Sequence, residues 1–215
     1  KVSKACKSLM FKEPFYGLFL VGMNKKYRND LPTAGVSKNG MGVQLAINPE
    51  FFDGLNEKQQ IGLLKHEILH VSFGHLLIRD KFDDMRLFNV AADIEINQYI
   101  DHDYLPEGGL TLETFPELDL PTRAGTKVYY DLLQEAQQEG TSPTLDNILS
   151  NMDGASPYCH PTWDEFEELS EADKKLVQKQ IEHQLKESAA QTVKKQGHIP
   201  GELADLIDRL LNVAP

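Results

Sequence analysis

The sequence predicts an α+β fold, and three observations carry that prediction. The aromatic and branched run PFYGLFLVGM (14–23) reads as a strand. Asn39-Gly40, ahead of VQLAI, marks a tight turn between two further strands in 36–52. From Asn56 onward the apolar spacing becomes helical and stays so to the end of the chain.

The elements follow in order. Residues 2–11 read as a short helix, then the strand 14–23, then a loop in NKKYRNDLPTAG, where Asn, Asp, Pro and Gly break regular structure. After the hairpin, Asn56 reads as an N-cap with Gln59 three residues on. It opens a helix that runs to about Phe73 and stops at Gly74. A second helix is expected from about Asp84 to Ile100, and the Pro- and Gly-rich stretch 101–125 is irregular. TKVYYDLLQEAQQ (126–138) is a third helix, ended by Gly140, and 141–161 reads as loop. Thr162 and Glu165 read as a capping box for WDEFEEL. Ser170 opens a long polar helix to about Gln196, with Leu176, Ile181 and Leu185 as a thin apolar seam and Gly197 as its stop. ELADLIDRLL (202–211) closes the pattern as an amphipathic turn or two. No internal repeat is visible. The expected division is a metal-binding core over 1–140 and a loop-and-helix extension over 141–215 that packs on it.

With 215 residues the chain can bury a sizeable core, and 40% hydrophobic and 26% charged residues are ordinary for a globular protein. A net charge of −11 argues against holding nucleic acid by its phosphates and against docking on an anionic membrane. No apolar run approaches the roughly 18 residues that span a bilayer. No secretory signal is visible, although the chain starts at Lys1. Cys6 and Cys159 form no paired framework. The expectation is a cytoplasmic protein, with no nucleic acid and no membrane among its partners.

The chemistry concentrates in IGLLKHEILHVSFGHLLIRD, which contains HEILH at 66–70. Two histidines at i and i+4 project from one face of a helix, so His66 and His70 can bind one ion from a rigid platform. Glu67 points about 100° around the helix. From there it can act as general base on a water without being a ligand. The flanking Ile61, Leu63, Leu64, Ile68, Leu69 and Val71 make the helix apolar on nearly all sides, hence buried. Three polar side chains in such a helix need partners.

Zinc needs a further ligand. His75 is nearest, but on a continuous helix it faces away from His66, and it returns only if Gly74 breaks the helix. The second helix offers Asn89, Asp93 and Asn97 at i, i+4 and i+8, a polar stripe in an otherwise apolar segment. A buried carboxylate there is costly unless paired or metal-bound. Asp93 as ligand, with Asn97 one turn on holding a histidine in the right tautomer, resembles zincins that take a carboxylate ligand from a helix after the H-E-x-x-H helix. Asp93 and His75 both stand as candidates.

HEILHVSFGHLLIR followed by FNVAADIEIN, TKVYYDLL and IPGELADLI resembles a bacterial and phage family of metallopeptidase-like domains that often precede a von Willebrand factor A-like domain. The resemblance covers roughly 35–210 and is strongest over 60–100. It implies a zincin-like fold, a divalent metal, and His66, Glu67, His70, His75, Arg79, Asp93 and Asn97 as motif positions.

On this reading the chain is a zinc (Zn2+) metallopeptidase acting on a peptide or protein substrate, with Glu67 as base. His160 and Tyr158, in SPYCHPTWDEF, are candidates for stabilising the oxyanion, as is Arg79. Cys159 could block the metal in a latent form. Residues 41–48 are expected to form an edge strand above the metal that pairs with extended substrate. The C-terminal helices could carry a protein partner. Two other readings compete: a catalytically silent metal-binding module serving assembly, and a metallohydrolase acting on RNA through three histidines. Glu67 speaks against the first, because binding alone needs no base. The acidic charge speaks against the second.

Overall fold

In the computed structural model, which describes residues 1–152, 160–198 and 201–212, the chain opens with two helices, α1 (Val2–Lys12) and α2 (Pro14–Val21). The second is the run expected as a strand. A short apolar run fits a buried helix as well as a buried strand. Pro14 is compatible with the helix, because its fixed φ suits the first helical turn. Phe15, Tyr16, Phe19 and Leu20 are all buried, so α2 is a core helix.

Three strands follow: β1 (Asn24–Tyr27), β2 (Ala34–Asn39) and β3 (Gly42–Ile47). β1 lies in the segment expected as loop. The hairpin is present, with β2 antiparallel to β3 and Gly40 at φ 60 in the turn. β1 pairs with β3 in parallel, which makes β3 the central strand. The edge strand expected at 41–48 is therefore in the middle of the sheet. The strand that reaches the cleft is β2, through Ala34 at its start, with Thr33 just before it.

Asn48 caps α3 (Pro49–Gly54), and Asn56 with Gln59 forms the expected capping box of α4 (Glu57–Ser72). Gly74, at φ 70, breaks the chain into α5 (His75–Ile78). Asp84 caps α6 (Met85–Asn97), and α7 (Thr126–Glu139) packs along it before ending at Gly140, φ 64. Ser142 then caps α8 (Pro143–Ser150), a helix in the segment expected as loop. A 3-10 turn over Pro161–Trp163 runs directly into α9 (Asp164–Glu167). The expected Thr162–Glu165 capping box does not form. Glu165 instead accepts from the Lys38 N–H of β2 at 3.0 Å.

Ser170 caps α10 (Glu171–Gln196), and α11 (Gly201–Asn212) ends the described chain. The apolar seam of α10 is Val177, Ile181 and Leu185, while Leu176 is half exposed. This seam lies against α2, α4 and β3. One core cluster joins the sheet (Val36, Leu45, Ile47), α4 (Leu64, Ile68, Leu69), α6 (Phe88, Ala92, Ile96) and α9–α10 (Phe166, Val177, Ile181). Among the described residues no helix is long and apolar enough to cross a membrane.

Candidate metal centre

The middle of α4 is buried on almost every side, and α6 crosses it with its own polar stripe facing inward. His66 and His70 from α4, Asp93 from α6 and His160 from the turn before α9 bring one ligand atom each into a single group, all within 4.8 Å of one another. The two α4 histidines place their Nε2 atoms 2.9 Å apart. Asp93 Oδ1 lies 3.1 Å from His70 Nε2, 3.4 Å from His160 Nε2 and 3.6 Å from His66 Nε2. Zinc with bonds of about 2.0–2.1 Å spaces tetrahedral ligands roughly 3.3 Å apart, and these four separations differ from that spacing by only tenths of an ångström.

The surrounding hydrogen bonds prepare these atoms for a cation. Asn97 donates its amide to the Leu110 carbonyl at 2.7 Å, which turns its Oδ1 toward His66 Nδ1 at 2.8 Å. His66 therefore carries its proton on Nδ1 and aims the Nε2 lone pair at the group. Asp93 Oδ1 and His160 Nε2 are buried without a hydrogen-bond partner. Orphaned buried acceptors that face one another are costly, and a cation between them removes the cost. Burial pushes the His70 imidazole well below its ordinary value, reinforced by His66, and so favours the neutral form that binds metal. Burial alone would raise the Asp93 carboxyl, but His66, His160 and His70 outweigh it and hold it far below the usual carboxylate range. The residues present fit a divalent metal with nitrogen and oxygen ligands.

Glu67 lies beside this group and lines a cleft of about 350 Å³ together with His66, Asp93, Asn97 and His160. The opposite walls are Thr33 and Ala34 of the sheet, Phe51 and Leu55 near α3, and Leu105–Gly109 from the irregular segment. Its side chain is buried, and Oε2 has no hydrogen-bond partner. Burial raises the Glu67 carboxyl above the usual range.

His75 is not in the ligand group. Gly74 does turn the chain back, as its left-handed conformation allows, but His75 stops beside His70, with the two Nδ1 atoms 2.9 Å apart. Its other nitrogen meets Thr126 Oγ1 at 2.9 Å. Arg79, a candidate for the oxyanion, is spent elsewhere: it pairs with Asp164 and with Glu167 at 2.5 Å. It also donates to the His160 carbonyl at 3.1 Å. Trp163, fully buried, stacks on His160 at 4.0 Å and meets His70 edge-on at 4.8 Å. His160, expected as a donor to substrate, stands among the ligand atoms. Nothing in its spacing announced this, because it is 67 residues beyond Asp93 in sequence. The adjoining aromatic Trp163 was the available signal. Tyr158 and Cys159 lie outside the described residues.

The sequence model of a family described as "Putative metallopeptidase domain" matches residues 1–214. The chain belongs to this family. Its putative metallopeptidase domain is 30% identical over 101 residues to an uncharacterized protein of Thermotoga maritima, an alignment that covers 46% of this chain and 25% of that protein. The domain thus matches about a quarter of the length of that curated relative. No solved structure matches the domain.

Proposed function

We propose that the domain is a zinc metallopeptidase in which His66, His70 and Asp93 hold the metal, His160 fills the fourth position in the resting chain, and Glu67 is the general base. The observation that carries this reading is Glu67: a buried carboxylate with a free oxygen, beside the ligand group and open to a cleft. A site built only to hold metal has no use for such a group, and burying it is costly. Three histidines and one carboxylate suit zinc. Zinc held there would supply Lewis acidity toward a carbonyl oxygen and acidify water. Glu67 takes the proton of the attacking water and hands it to the leaving amine, a transfer favoured by a pKa raised toward neutrality. Leu63 and Leu105 line the cleft, which would seat a peptide between the sheet and the 105–109 segment.

Four protein ligands close a tetrahedral site, which favours a second reading: a catalytically silent module that binds metal for assembly. His160 differs from the other three, since it comes from a separate turn rather than from the crossed α4 and α6. On the peptidase reading it would be the residue that gives way to water. The test is to load the chain with zinc and incubate it with a mixed peptide pool, analysed by mass spectrometry, alongside Glu67→Gln and His160→Ala. Cleavage by wild type, lost in Glu67→Gln with zinc content unchanged and kept in His160→Ala, supports the peptidase. Full zinc content with no cleavage by wild type or His160→Ala supports the silent module.

A further inference from the structure

We propose that His75, with Thr126 and Glu95 behind it, is a positioning residue that fixes the tautomer and ring plane of His70, so that His70 presents Nε2 to the metal. The inference rests on the reading of His70 as a ligand, and it assigns His75 a role other than that of ligand.

Four buried groups form a line. His70 Nδ1 is 2.9 Å from His75 Nδ1, and His75 Nε2 is 2.9 Å from Thr126 Oγ1. The Thr126 hydroxyl donates to Glu95 Oε2, which also accepts the Thr126 backbone N–H at 2.8 Å. Glu95 Oε1 accepts from Arg209 at 2.9 Å. His70, His75 and Glu95 are less than 5% exposed.

The direction of the protons follows from the carboxylate end. Paired with Arg209 and accepting two bonds from Thr126, Glu95 is an acceptor only. The Thr126 hydroxyl proton therefore points at Glu95, and its oxygen must accept from His75 Nε2–H. With His75 as the neutral imidazole, its Nδ1 then carries no proton, and that lone pair accepts from His70 Nδ1–H. This leaves the His70 lone pair on Nε2, the atom that faces His66 and Asp93. Reversing any one bond would set two donors or two lone pairs face to face. Gly74 supplies the geometry, because its left-handed turn lets His75 face back toward the helix it has just left. The site thus has two orienting arms, Asn97 on His66 and this line on His70.

A histidine that merely fills space would show the same burial but would not govern His70. The variants are therefore His75→Leu, which keeps apolar volume and removes the acceptor, and His75→Asn, whose Oδ1 can stand where Nδ1 was. Zinc affinity of the full chain is measured by competition with a chromogenic chelator. Imidazole tautomers of the metal-free chain are read by long-range 1H–15N NMR. Expected is a loss of about 10–100-fold in affinity in His75→Leu, the range for partners that orient a metal-bound histidine, with most of it recovered in His75→Asn. In wild type His70 is expected as a single Nδ1–H tautomer, and in His75→Leu as a mixture. Should His75→Leu not fold, Thr126→Val and the wild-type tautomers carry the test, with a smaller loss of affinity expected. Wild-type affinity in His75→Leu, or in Thr126→Val where that substitutes, overturns the proposal, as does an Nε2–H tautomer of His70 in wild type. A His70→Ala chain that binds zinc as tightly as wild type overturns the ligand reading itself, which separates the two failures.

Discussion

Arg79 donates to the carbonyl oxygen of His160 at 3.1 Å and so ties the turn that carries one ligand-group histidine to the end of the segment that follows HEILH. The same guanidinium pairs with Asp164 and Glu167, and lies 5.7 Å from the Trp163 ring that stacks on His160. A buried arginine therefore holds the backbone of the turn that carries His160.

Replacing Arg79 by methionine keeps most of the stem and removes the fork. The expected cost is about 2 kcal/mol, below the roughly 3–5 for breaking a fully buried pair, because Asp164 is largely exposed and can be rehydrated. Zinc should still bind through His66, His70 and Asp93, but more weakly. Denaturant melts of the metal-free chain and a chelator titration measure the two effects. Weakened binding with unchanged stability would contradict the anchoring role.

Metal removal should destabilise the domain well beyond the site. The ligand group joins α4, α6 and the turn before α9. Zinc at about a thousand times its dissociation constant adds roughly 4 kcal/mol. For a chain of this length that corresponds to a fall of about 10 °C in melting temperature on chelation. Scanning calorimetry with and without chelator gives the number directly, and coincident melts would argue that the four side chains hold no ion.

The long helices were legible because their caps are local. Asn56 with Gln59, Asp84, Ser170, Gly140 and Gly197 each act within one turn of the residue they stop or start. The Asn89–Asp93–Asn97 stripe was legible for the same reason, since a helical period carried three polar residues to one face. The misread stretches are those where tertiary packing decides. Phe15–Leu20 packs as a helix whose Phe15, Tyr16, Phe19 and Leu20 are buried by neighbours. NKKY pairs as β1 only because β3 is already there. His160 enters the site through Arg79 and Trp163, contacts that no local spacing encodes. Sequence distance alone does not place His75, which lies beside His70 and outside the group of ligand atoms.

Gly62 offers a test of how the cleft wall is built. It sits in the middle of α4, where glycine is otherwise unfavourable by about 1 kcal/mol against alanine. A Cβ there would lie 1.8 Å from the Tyr104 carbonyl oxygen, an impossible contact with backbone. The 102–105 segment thus packs directly on the helix that carries HEILH and leads into Leu105–Gly109 of the cleft. Gly62→Ala is expected to destabilise the domain by about 2–3 kcal/mol or more despite its better helix propensity. It should also alter which peptides are cut, while zinc content stays at the wild-type level. A gain in stability, the outcome propensity alone would give, would show that the segment does not press on the helix.

Glu67 should make the metal-free domain less stable as pH rises. Burial raises its carboxyl in the folded chain, so the folded state holds the Glu67 proton more tightly than the unfolded state does. Below the ordinary glutamate value of about 4.3 both states are protonated, and Glu67 costs nothing. As pH climbs through the raised value, the folded chain must bury a charge with one oxygen unpartnered, and stability falls. Glutamine removes that charge. The metal-free Glu67→Gln chain should therefore be more stable than wild type at pH 7 by about 1–3 kcal/mol, the penalty of an unsatisfied buried group, and equal to it near pH 4. Paired urea melts of the two chains across this range isolate the residue, because every other carboxylate titrates in both. A constant difference across the range would mean that Glu67 is solvated in the folded chain, and its fitness as a base would lose its physical ground.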